Sequence, residues 1–199
     1  KYAIFPQQVG RFDMPALSVD AEIIRHQGGQ RNIWGNRFKE ARRVVSKALQ
    51  VEVLPIPDAV KADTWLPAED VYLSEQWSNQ ALQVKVGEPL TRTITLSVKS
   101  STVAQLPELS PPMPDGFKRY PDQPQLHEEK HPDGLWASRE EKVAFIASKP
   151  GEYEFPAMAI AWFDTHSGQQ QRAQLPAVKV YVQAVDGPVQ APAVPMTSE

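Results

Sequence analysis

Gly151-Glu152-Tyr153-Glu154-Phe155-Pro156-Ala157-Met158-Ala159-Ile160 repeats, 141 residues further along, the pattern of Gly10-Arg11-Phe12-Asp13-Met14-Pro15-Ala16-Leu17-Ser18-Val19. Both stretches read glycine, any residue, aromatic, acid, apolar, Pro-Ala, apolar, any residue, β-branched. The glycines stand where a tight turn needs positive φ. Phe12/Met14 and Tyr153/Phe155 then alternate to one face, as strand residues do. Across Pro-Ala the parity flips, and Leu17/Val19 and Met158/Ile160/Trp162 take over the buried face. One extra residue carrying a proline is how a β-bulge reads in sequence. The repeat therefore predicts two copies of one bent strand.

The flanks of the two copies also match. An apolar strand precedes each, at residues 2–5 and 143–147. A hairpin-like excursion follows each, and then an alternating strand, at residues 48–54 and 177–182. Residues 1–57 thus read as the last strands of a first domain. A proline-stiffened linker covers 58–64 and follows Pro55-Ile56-Pro57. A second, complete domain of the same type spans 65–187, and a Pro/Ala-rich spacer spans 188–199.

Within the second domain, Leu90-Thr91-Arg92-Thr93-Ile94-Thr95-Leu96-Ser97-Val98 is the best strand, largely apolar at even positions and polar at odd ones. Six or seven short strands in about 120 residues, with turns between them, fit an immunoglobulin-like β-sandwich. The expected fold is all-β: a tandem of one truncated and one complete immunoglobulin-like β-sandwich. Tyr153 sits where a tyrosine corner forms in such domains; its counterpart Phe12 lacks the hydroxyl. Residues 106–124 carry six prolines and read as a long ordered loop with extended stretches.

Composition agrees. Of 199 residues, 41% are apolar, enough for a core, and 19 are proline, which breaks helices. There is no cysteine, which excludes disulfides and cysteine-based metal or redox sites. The net charge of −3 gives no push toward nucleic acid. It is unevenly spread: residues 1–57 hold 9 Lys/Arg and 5 Asp/Glu, and residues 58–199 hold 12 and 19. The longest apolar run, residues 155–163, is far short of the roughly 20 residues that span a bilayer. The chain opens in a strand-like pattern with neither signal peptide nor initiator Met. It reads as an excised fragment, with targeting and anchoring segments expected outside it.

His127-Glu128-Glu129-Lys130-His131 matches the zinc-peptidase pattern H-E-x-x-H, which works only on a helix that brings both histidines to one face. Pro121, Pro124 and Pro132 surround it, and Pro132 biases His131 away from helical geometry. In a strand the two histidines stand about 13 Å apart at roughly 3.3 Å per residue, too far for one zinc. A non-helical, solvated segment is expected. His26 and His166 lie near turns and read as loop residues. Glu128-Glu129 and Glu140-Glu141 read as solvated faces. Ser74 and Ser138 lack a nucleophile-elbow context. The basic run Arg37-Phe38-Lys39-Glu40-Ala41-Arg42-Arg43 reads as a solvated hairpin, with a polyanion or lipid-headgroup contact as the sharper alternative. Among the tryptophans, Trp162 is in phase with the core. Trp65 and Trp77, beside the linker, read as packed between the domains. Trp34 and Trp136 are free to stack on sugar rings. No catalytic, cofactor-binding or metal-ligating residue is assigned, and no cofactor is expected.

Several runs resemble the BatD family, the bacterial oxygen-tolerance or aerotolerance proteins. They are Tyr2-Ala3-Ile4-Phe5-Pro6-Gln7-Gln8 with Gly10, and Trp65-Leu66-Pro67-Ala68 with Leu73-Ser74-Glu75-Gln76-Trp77. Val86-Gly87-Glu88-Pro89-Leu90-Thr91-Arg92-Thr93-Ile94, Gln105-Leu106-Pro107 and Tyr120-Pro121-Asp122-Gln123-Pro124 add to them. The resemblance implies tandem immunoglobulin-like domains on the periplasmic face of the inner membrane, held by an anchor outside this fragment. It also implies partners: membrane proteins with von Willebrand A domains and a MoxR-type AAA+ ATPase system. It carries no catalytic residues. The expected function is a non-enzymatic, extracytoplasmic protein-interaction scaffold in oxygen and stress tolerance. The alternative is a glycan-binding β-sandwich module.

Overall fold

The computed structural model describes residues 4–25, 38–58, 60 and 65–185. They are all-β, with several sheets and one short 3₁₀ turn, Val103–Gln105. The chain divides into two units, Lys1–Pro57 and Asp58–Glu199. His26, Trp34, Arg37, most of 58–64 and all of 188–199 lie outside the described residues.

The described residues of the first unit form two antiparallel ladders. β1 (Gly10–Met14) pairs antiparallel with β4 (Leu49–Val53), and β2 (Ser18–Arg25) pairs with β3 (Phe38–Val45). Met14 opposes Leu49 and Ser18 opposes Val45, so three residues on each side lie outside the two ladders, joined there by the Ser46 amide donating to the Leu17 carbonyl at 2.8 Å. Of the strand expected at residues 2–5, residues 4 and 5 are described and carry none. Val9, Leu17, Val19, Val44, Val45 and Leu49 are all more than half exposed.

The second unit repeats this device within a fuller fold. β12 (Gly151–Phe155) pairs with β15 (Val178–Gln183), and β13 (Met158–Asp164) pairs with β14 (Gln169–Leu175). Phe155 opposes Val178 and Met158 opposes Leu175, so Pro156-Ala157 faces Pro176-Ala177. The bulge reading is thereby corrected: neither strand has an extra residue. Both strands lapse from pairing in step, because each carries a proline that cannot donate to the ladder. Both change buried face together, from Phe155 to Met158 on one and from Leu175 to Val180 on the other.

The opposing layer runs β10 (Gln125–His131), β11 (Gly134–Ala147), β8 (Pro89–Lys99), β6 (Asp70–Trp77), with β9 (Phe117–Pro121) also on β11. Two short strands join the hairpin side in parallel: β5 (Pro67–Ala68) on β13 and β7 (Gln83–Lys85) on β15. The layers face each other in a manner consistent with a β-sandwich. Leu90, Ile94, Leu96 and Val98 of β8 point inward, and Met158, Leu175, Phe155 and Val180 meet them from the other side. Residues 106–116 have no strand, yet Leu106 and Leu109 are buried in the core.

The core is split in two. One cluster centres on Ile94, Leu96, Val98 and Met158, the other on Leu90, Phe145, Phe155 and Val180. Phe155 is the hub of the second, in edge-to-face contact with Trp77, Phe117 and Phe145. Charged side chains point inward between the clusters: Glu75 on β6, Arg92 on β8, and Arg139 and Glu141 on β11. Arg92 Nε donates to Glu75 at 2.7 Å, and Arg139 Nε donates to Glu141 at 2.7 Å. Glu141 also accepts from the Leu109 amide at 3.0 Å. This corrects the solvated-face reading of Glu140-Glu141: Glu141 turns inward, because successive strand residues point to opposite faces.

Candidate functional site

The outer face of the β10-β11-β8-β6 sheet gathers the chemistry. Strand alternation brings His127, Glu129 and His131 of β10 to it, together with Trp136 and Ser138 of β11. Cross-strand register sets Glu129 opposite Trp136, and His127 opposite Ser138. On β8, Ser97 lies between Ser138 and Tyr72, and Lys99 lies between Trp136 and Asp70. Ser97 is small, so the rings of Tyr72 and Trp136 reach toward each other across it. Their centroids are 6.1 Å apart and their planes 23° from parallel. Tyr72 is 55% exposed. A shallow cleft of about 220 Å³ is lined by Ser97, His127, Glu129, His131, Trp136 and Ser138.

One hydrogen bond fixes the tyrosine of the pair, and an ionic cluster lies beside it. Tyr72 donates its hydroxyl to Asp70 Oδ2 at 2.6 Å. That bond to a carboxylate keeps the phenol proton on and pushes the Tyr72 pKa upward. Lys99 Nζ sits 3.3 Å from Glu69 and 3.4 Å from Asp133. Its pKa is raised, chiefly by the Glu69 carboxylate. The Glu69 carboxyl is held low, first by the Ser100 hydroxyl and then by Lys99. Asp133 is also held low, first by its own backbone N–H. His131 Nε2 lies 3.0 Å from Glu129 Oε2.

His127-Glu128-Glu129-Lys130-His131 is strand, with every residue exposed, and not a helix. Glu128 turns to the other side, where its Oε2 accepts from the Val103 amide at 3.4 Å. Among the described residues no group of three or more His, Asp or Glu side chains is placed to hold a metal ion.

The remaining candidates fall elsewhere. His166 is in the exposed turn after β13, where its amide donates to Asp164. Arg42 and Arg43 are exposed on β3, paired with Glu40 and Asp20. Ser74 is exposed on β6. Trp162 packs against the first core cluster. The Trp65 ring lies 5.1 Å from Phe163 with the planes tilted by 38°, and Trp77 contacts Phe145 and Phe155; all these ring partners belong to the second unit.

Tyr72 was not legible as a site residue. A tyrosine in an alternating strand says nothing about which ring it will meet two strands away. Arg92 left a signal: it occupies an even, inward position in an otherwise apolar series. Its side chain is fully buried, with the guanidinium 5.1 Å over the Trp77 ring. Among the described residues, its Nη1 and Nη2 and the Trp77 Nε1 have no hydrogen-bond partner.

No protein-family model matches the chain, and neither curated proteins nor solved structures give a match.

Proposed function

We propose that this protein is a non-enzymatic protein-interaction scaffold of the bacterial envelope, similar to the BatD family in role and partners. The observation that carries the reading is the outer sheet face with its Tyr72–Trp136 pair. An exposed tyrosine beside a partly buried tryptophan in a polar surround is the composition of protein docking patches, whose energetic hot spots are enriched in these two residues.

The immunoglobulin-like identity is part of the proposal. The order β10-β11-β8-β6 reads as strands D-E-B-A of that plan, and β12–β15 supply the closing strands of the opposite sheet. Tyr153 donates its hydroxyl to the Lys149 carbonyl, four residues upstream, at 2.9 Å, as a tyrosine corner does. The two ladders within residues 10–53 repeat the broken ladder of β12–β15, which supports reading them as the closing strands of a like domain. By the family resemblance the protein works on the periplasmic face of the inner membrane, in oxygen and stress tolerance. Its partners there are von Willebrand A-domain membrane proteins and a MoxR-type ATPase system.

Capture from detergent-solubilised membranes tests this, using wild type and a Tyr72→Ala/Trp136→Ala double variant. Von Willebrand A-domain proteins should be retained by wild type and lost by the variant, with the thermal transition of the variant kept. Equal retention by both would remove the face from the function. The same aromatic pair favours a second reading, a glycan-binding module, because exposed rings stack on sugar faces. Retention of the pair's binding by oligosaccharide alone would establish it.

A further inference from the structure

We infer that the Tyr72–Trp136 face takes a basic segment of its protein partner, with an arginine or lysine side chain lying against the two rings; this rests on the protein-docking reading above. Charge complementarity carries the inference. Asp70 bonds Tyr72 and Glu129 lies cross-strand from Trp136, while Glu69 and Asp133 both hold Lys99, the residue that stands between Trp136 and Asp70. Four carboxylates against one ammonium leave a local balance of −3 with the histidines neutral.

The geometry suits a cation. The two rings stack over β8, with centroids 6.1 Å apart and planes 23° from parallel, and Tyr72 is 55% exposed to an incoming group. A cation over an aromatic face is attracted by the ring quadrupole, and more strongly when carboxylates flank it. Asp70 stands beside Tyr72, and its Oδ2 already orients that ring through the 2.6 Å bond. Glu129 lies cross-strand from Trp136, with its side chain 71% exposed and within reach of an incoming guanidinium. Ser97 and Ser138 add hydroxyls on the cleft floor for backbone groups of the segment. A guanidinium fits this set better than an ammonium, because it stacks flat and donates in its own plane to carboxylates at the rim.

The test uses the whole chain, ¹⁵N-labelled, with the Trp136 indole N–H resonance assigned by a Trp136→Phe variant. Three blocked nonapeptides are titrated, alternating Gly with Arg, Glu or Ser, and cellohexaose is the sugar probe. The Arg peptide should shift the Trp136 indole and the Tyr72 amide saturably. The Asp70→Asn/Glu129→Gln variant should weaken that binding at least tenfold, and raised salt should weaken it too. Glu129 is exposed and Asp70 partly buried, and an unchanged thermal transition of the variant checks that the fold is kept. Saturable shifts with the Glu or Ser peptide and none with the Arg peptide would overturn the basic partner while leaving a protein-docking face. Shifts with cellohexaose alone would overturn both readings. No shift with any probe would overturn the inference.

Discussion

Arg92 donates from Nε to Glu75 Oε2 at 2.7 Å, and the guanidinium side of the pair is fully buried while the carboxylate side is 14% exposed. The pair lies between the two halves of the core, where an apolar residue would have packed without loss of hydration. Such pairs stabilise little in themselves, but removing one partner strands the other charge in a poor solvent.

Glu75→Ala should therefore cost about 3–5 kcal/mol, while Arg92→Met with Glu75→Leu should be near neutral or stabilising. Urea denaturation of the two variants measures this. A Glu75→Ala cost below about 1 kcal/mol would mean that the charge finds water in the folded state.

Gly116 has φ +93°, and a Cβ there would lie 3.2 Å from the Tyr153 ring. That ring is packed edge-to-face on Phe117 at 5.0 Å and tied to Lys149 by its hydroxyl. It cannot give way cheaply. Gly116→Ala should destabilise by about 1–3 kcal/mol through strain and crowding together. Tyr153→Phe, which loses only the hydrogen bond, should cost about 0.5–1.5 kcal/mol. Thermal denaturation of the two variants should keep that order.

Glu69 titrates below the usual glutamate range, with the Ser100 hydroxyl as the first cause and Lys99 next. A depressed carboxyl contributes stability above its unfolded pKa, and that contribution is lost as pH falls through the folded value. Side-chain ¹³C shifts should place the Glu69 midpoint below the midpoints of exposed glutamates. Ser100→Ala should raise it more than Lys99→Met does. The reverse order would make the lysine the main cause.

The first unit leaves Leu17, Val19 and Leu49 more than 60% exposed, and a lone two-stranded ladder is marginal in water. Residues 58–199 expressed alone should unfold cooperatively in urea, with amide protection on β8 and β11. Residues 1–57 alone should show no cooperative transition by circular dichroism. A stable isolated 1–57 would place its core within those residues.

Period-two alternation in Leu90–Val98 and the doubled Gly-to-Pro-Ala pattern made the strands, the turn glycines and the change of buried face at Pro-Ala legible, because these depend on neighbours in the chain. Pro121, Pro124 and Pro132 likewise settled that residues 127–131 would not form a helix. The in-step lapse at Pro156-Ala157 and Pro176-Ala177 was not legible. It depends on which residue of a distant strand stands opposite, and one strand read alone looks like a bulge. The site needed still more. Tyr72, Ser97 and Trp136 lie on three strands, and the strand order β11-β8-β6 alone brings those rings to 6.1 Å. Alternation told that each points out of the sheet or into it; pairing across the sheet decided which side chains share a face, because hydrogen-bond register joins residues that the chain keeps dozens of positions apart.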